Sequence, residues 1–155
     1  MFGIRISTPS LADDSGSPYA AAELNAGGAR VHFQADLRFW SPRQYERQWA
    51  DGIRRLVRGA TSSALMSAFT GARGELHRMW ALWRRGGHIY VQPHCVVRAD
   101  LSGSFDPAAP YDHVGEHVPM TLADLPHEEW RVELAAFLEA AVVVISAQCS
   151  GLSAQ

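Results

Sequence analysis

The sequence predicts an α+β fold: a single domain with a central antiparallel β-sheet and two main α-helices packed on it. Three stretches predict it. Residues 40–59, WSPRQYERQWADGIRRLVRG, have the apolar spacing of an amphipathic helix and stop signals at both ends. Residues 29–40, ARVHFQADLRFW, alternate apolar and polar as a half-buried strand does. Residues 76–98 hold two strand-like runs around Gly86-Gly87, the glycine pair of a hairpin. No internal repeat and no linker divides the 155 residues, so one domain spans 1–155.

Taken in order, residues 1–28 form an irregular lead-in. FGIRIS at 2–7 alternates enough for a short strand, and the Ser-, Pro-, Gly-, Ala- and Asp-rich stretch after it holds one helical turn around 19–24. In the strand that follows, Val31, Phe33, Ala35, Leu37 and Phe39 share one face. In the helix, Ser41 is the N-cap, Pro42 takes the first position, and Gln44 completes a capping box. Gly59 supplies the left-handed cap at the other end. Tyr45, Trp49, Ile53 and Leu56 make the apolar stripe, while Arg43, Arg47, Arg54, Arg55 and Arg58 take the other faces.

Residues 60–69, ATSSALMSAF, are small and apolar without helical period, which predicts a strand buried on both faces. In the second hairpin strand Ile89, Val91, Cys95 and Val97 face one way, and His88, Tyr90, Gln92 and His94 the other. Pro93 cannot donate to a ladder, so this strand is an edge or carries a bulge there. Residues 99–110 are loop-like, and 111–118 are a short last strand. Pro126 opens a helix through HEEWRVELAAFLEAAVVVIS, with Glu128 and Glu129 in its first turn and Trp130, Leu134, Phe137, Leu138, Ala141 and Ile145 on its buried face. Residues 147–155 are a frayed tail.

Charge is distributed unevenly. Net charge is −2, yet residues 38–98 carry eleven arginines against Glu46, Asp51 and Glu75, and residues 99–155 carry nine acids against Arg131 alone. Such a split bears on partners rather than on fold. All fourteen basic residues are arginine. No apolar run is long enough to span a bilayer, since Glu139 interrupts the longest. The first residues, MFGIRISTPSLADD, lack the basic and hydrophobic segments of a signal peptide. Cys95 and Cys149 stand alone, as free thiols of a reducing cytoplasm do.

No catalytic constellation emerges. His88 and His94 share a strand face but lie about 20 Å apart at ~3.3 Å per residue. His113 and His117 are separated by Gly115, and no H-E-x-x-H occurs, so neither zinc nor another cofactor is expected. There is no G-x-S-x-G elbow or P-loop, and Cys95, on the apolar face, reads as a small buried hydrophobe. A different possibility is a single-stranded nucleic-acid module. Trp80, Trp83 and Tyr90 lie on adjacent strands beside Arg78, Arg84 and Arg85, as in a base-stacking platform.

The order of motifs supplies the remaining clue. Trp40-Ser41 is followed by Tyr45, Gln48-Trp49, Leu56 and Ser63-Ala64-Leu65. Trp80-Ala-Leu82-Trp83-Arg84, His88-Ile-Tyr90-Val91-Gln92 and Glu129-Trp130 come next. In this order, over residues 28–138, the chain resembles the immunity proteins of bacterial contact-dependent growth inhibition systems. The resemblance implies a cytoplasmic, non-enzymatic protein that binds and neutralises the C-terminal domain of a cognate toxin, commonly a nuclease. It implies no membrane and no direct nucleic-acid partner. The recurring residues are then scaffold: Trp49 is core, and Gln48 hydrogen-bonds the sheet or a loop. A nuclease that grips phosphates presents a basic cleft, and an inhibitor gains association rate from acids that match it. The expected toxin-facing charges are therefore Asp106, Asp112, Glu116, Glu128 and Glu129.

Overall fold

Two glycine pairs set the two long hairpins. Gly27 and Gly28 have φ of 59° and 89°, and Gly86 and Gly87 have 54° and 81°, the left-handed pairs of tight turns that match strand twist. The computed structural model describes residues 1–7, 10–71, 73–97, 106–120 and 129–150.

The first hairpin joins β3 (Pro18–Ala26) to β4 (Ala29–Asp36), and β1 (Phe2–Ile6) and β2 (Leu11–Ala12) pair with the other side of β3. All pairings are antiparallel. The expected irregular lead-in over 1–28 is thus largely sheet, and residues 19–24 lie in β3 rather than in a helical turn. In β3 the inward row is Ala20, Ala22, Leu24 and Ala26, all buried. Three alanines carry a period-2 pattern too faint to read, because alanine has neither the bulk nor the β-branching that marks a strand. On the outer face Glu23 meets Arg5 at 3.1 Å and Asn25 at 2.9 Å, with Arg30 and His32 each at 3.7 Å.

Helix α1 (Pro42–Val57) follows with both caps as the sequence predicts. Gln44 N–H donates to Ser41 Oγ at 3.4 Å, and Ser41 N–H to Gln44 Oε1 at 2.9 Å. At its C-terminus Gly59 turns left-handed, and the Gly59 and Ala60 N–H groups donate to Leu56 O and Arg55 O. Tyr45, Trp49, Ile53 and Leu56 are all buried.

The second sheet is antiparallel in the order β5 (Ser62–Thr70), β6 (Leu76–Arg85), β7 (His88–Val97) and β8 (Trp130–Glu133). Seven consecutive residues of β5 are buried, as its composition predicts. Pro93 lies two residues beyond the last pairing of β7 with β8 among the described residues. Past that proline the ladder with β6 continues without a shift but burial passes to the other face: Val96 is buried, and Cys95 is an exposed free thiol rather than a buried hydrophobe.

Helix α2 (Leu134–Ser150) starts later than expected, because Trp130–Glu133 pairs with His88–Val91 as β8. The sequence Trp-Arg-Val-Glu is taken there by strand pairing, and the helix begins only at Leu134. α2 continues through residue 150, beyond the expected onset of fraying at 147; residues 151–155 lie outside the described residues. The expected strand at 111–118 is a short 3-10 helix (Pro110–His113) followed by irregular chain. The one central sheet is therefore two antiparallel sheets, and the α+β class holds.

One core joins these layers. Phe33 of β4 meets Trp49 of α1 at 6.2 Å and Trp80 of β6 at 5.5 Å between ring centroids, and Phe2 of β1 meets Phe137 of α2 at 4.7 Å. Close seating of α1 on β5 requires glycine at position 52, where a Cβ would lie 2.7 Å from Leu65 Cδ2 and 2.8 Å from Ala64 O. The outer edge of β5 is then closed by side chains. Gln48 donates to Ala64 O at 2.9 Å and accepts from Met66 N–H at 2.8 Å, as a neighbouring strand would. Trp49 Nε1 donates to Met66 O, and Arg55 Nε to Ser62 O.

Candidate partner-binding site

The outer face of the second sheet carries two of the aromatic residues that the sequence singles out. Trp83 and Tyr90 are cross-strand partners on β6 and β7, and Gln92 lies on the same side of β7. A strap formed by residues 106–120 crosses this face from β5 toward the start of β8. Its 3-10 helix lies against β5, with the Tyr111 ring 4.2 Å beneath the Arg55 guanidinium. Trp83 Nε1 then donates to Gly115 O at 2.8 Å, and Gln92 Nε2 to Val118 O at 2.9 Å.

His117 is the centre of the attachment. Its ring lies 4.6 Å from Tyr90 and 5.1 Å from Trp83, both tilted by about 35°. Its Nε2 is 2.7 Å from Glu129 Oε2, the same oxygen that accepts from Gln92. Arg85 NH1 lies 3.3 Å from the ring Nδ1. An arginine only donates, so Nδ1 accepts and the Nε2 proton points at Glu129. The His117 side chain is 3 % exposed. A buried polar group is tolerated only when bonded, and each member of this network is.

The expected site residues separate on this basis. Asp106, Asp112 and Glu116 are exposed on the strap, and none forms an ion pair among the described residues. Asp106 Oδ1 accepts from Ala108 N–H at 2.9 Å, which fixes the turn entering the 3-10 helix. Glu129 is half-buried and holds His117. Glu128 lies outside the described residues. Sequence reading did not single out His117, Gln92 or Val118 as parts of a site. The available signal was Gln92 alternating with Tyr90 on one strand face; nothing in the sequence marks His117 as the residue that covers them.

The base-stacking alternative does not survive this geometry. Trp80 is buried on the inner face between Phe33 and Trp130, whose ring is 5.8 Å away, and Trp83 is 6 % exposed beneath the strap. Tyr90 is half-buried under His117. No π-face of the three is open in the way a stacked base requires. Among the described residues no group of three or more His, Cys, Asp or Glu is placed to hold a metal. His88 contacts Gly86 O at 3.1 Å, and burial alone pushes the His94 pKa down.

A groove of about 630 Å³ runs beside the strap, lined by Thr61, Ser62, Arg84, Arg85, Glu116 and His117 among others. Its walls are mixed, with Trp83 and Val114 beside the polar residues, and its donors are partly committed within the fold: Arg84 NH1 donates to Leu56 O and Arg85 NH1 to His117 O.

The family model described as the CdiI N-terminal domain matches residues 35–140. The chain belongs to the CdiI family, immunity proteins of contact-dependent growth inhibition. The matched span takes in α1, the whole second sheet and the strap; β1–β3 precede it. Among solved structures the chain is similar to one titled "CdiA-CT/CdiI toxin and immunity complex from Enterobacter cloacae", with 17 % identity over 94 % of this chain and 99 % of that chain, and a TM-score of 0.79. At that identity the likeness bears on the fold, and it includes the amino-terminal sheet. Comparison with curated proteins gives no match. Among the described residues of this CdiI-family chain no helix is long and apolar enough to cross a membrane.

Proposed function

We propose that this CdiI-family protein binds and neutralises the C-terminal domain of a cognate toxin, that the toxin is a nuclease, and that the encounter takes place in the cytoplasm. The observation that carries the reading is the family match across residues 35–140. The similar solved structure is titled as a complex of a toxin with its immunity protein. Binding rather than catalysis also suits the outer face of the second sheet. There the histidine, aromatic and carboxylate groups bond one another instead of converging on open space.

The nuclease assignment rests on charge. Asp106, Asp112 and Glu116 stand exposed on one strap without cationic partners among the described residues. A phosphate-gripping cleft is the complementary surface. Co-expression with the toxin domain encoded beside this gene tests the reading. Cells should survive only when this chain is present, and the two purified proteins should form a 1:1 complex in calorimetry. Loss of cell viability despite full expression of this chain, with no heat of binding, would refute it.

A further inference from the structure

We infer that residues 114–119 of the strap are the loop that seats on the toxin, with Val118 as its apolar contact, Glu116 as its charged flank, and His117 as the residue that positions both. This rests on the proposed toxin-binding function and assigns it a place. An exposed valine alone would mean little, since isolated apolar residues are normal on surfaces. Here the valine is 72 % exposed at a point where the backbone is fixed from beneath. Trp83 holds Gly115 O, Gln92 holds Val118 O, Arg85 holds His117 O, and Glu129 holds the His117 ring. The chain from 114 to 120 has no regular secondary structure. Its conformation is therefore set by side chains on β6, β7 and the residue before β8.

Such an arrangement has a function in recognition. A loop already held in one conformation loses less entropy on binding, so more of its contact energy appears as affinity. Interface contacts count most where they are fully desolvated and surrounded by groups that exclude water, and Val118 stands close in sequence to the exposed Glu116 and Pro119. Charge selects the occupant. The strap carries exposed Asp106, Asp112 and Glu116, its His117 is turned inward, and its residues 106–120 include no arginine. The surface accordingly fits a basic protein face, and the toxin domain of the proposed function is that partner.

The test uses the purified full chain and the toxin domain encoded beside its gene. Val118→Asp should weaken binding by about tenfold or more, as loss of a central contact does. Val143→Asp, at an exposed position on α2, should bind as the unmodified chain does; both variants should melt at the unmodified temperature. His117→Ala should weaken binding and speed amide exchange at 115–118 in the free chain. His117→Gln, which keeps an N–H toward Glu129, should recover part of both effects. Unchanged affinity in Val118→Asp, with the unmodified chain binding normally, would overturn the strap assignment alone. Failure of the unmodified chain to bind the toxin would overturn the proposed function and this inference together.

Discussion

Trp49 shows how much one residue can carry. Its indole is almost fully buried between Tyr45 and Phe33, and its N–H satisfies Met66 O on β5. Trp49→Ala should cost ~3–5 kcal/mol in urea melts, as a large-to-small core change that also strands a carbonyl. Arg55→Ala should cost less than ~1 kcal/mol, since its contacts to Ser62 O and the Tyr111 ring are exposed. Equal costs would mean that the helix faces the other way. Glu23 adds a pH effect. The hydrogen bond from Asn25, then Arg5 and Arg30, hold its carboxyl below the ordinary value of 4.5. The unfolded chain therefore takes up this proton first. The stability Glu23 contributes is complete above pH 4.5 and is lost as pH falls through the lowered folded value. Glu23→Gln should flatten the acid limb of a stability–pH curve; an unaltered limb would remove Glu23 from the account of acid unfolding.

Among the elements, the closed edge of β5 is the most informative. An exposed edge strand invites pairing with other chains, and here Gln48, Trp49 and Arg55 occupy its outward groups. Gln48→Leu should destabilise by about 2–4 kcal/mol, because Ala64 O and Met66 N–H both lose a partner in a buried site. The same variant should self-associate on partial denaturation, measurable by light scattering; a monomeric, fully stable variant would show that the edge needs no amide. Helix α1 was legible because its stripe, capping box and terminal glycine agree. The Gly86-Gly87 hairpin was legible for the same reason. The Gly27-Gly28 turn carried an identical signal, but the alanines of β3 hid the strand before it. β8 is illegible because four residues, Trp130–Glu133, are too few to show an alternation and run directly into the apolar stripe of α2; pairing with β7 makes them a strand. Cys95 escapes the sequence reading because the covered face of β7 changes past Pro93: the ladder with β6 runs on without a shift, yet Val96 is buried and Cys95 exposed.

At the scale of the whole molecule, the fold turns sequence asymmetry into a surface. The arginines of α1 and β6 are partly committed to carbonyls and rings, as at Arg55, Arg84 and Arg85. The strap brings three carboxylates to the outside. Composition revealed the acidic segment, and only the structure divides it into Glu129, which holds the strap, and Asp106, Asp112 and Glu116, which face outward. The decisive measurement is the association rate with the toxin domain across ionic strength, for the unmodified chain and for an Asp106→Arg, Asp112→Arg double variant. Association of the unmodified chain should slow steeply as salt rises, and the variant should associate about tenfold more slowly at low salt with a shallower dependence. Superimposable rates and salt slopes for the two proteins would contradict toxin binding through the acidic strap.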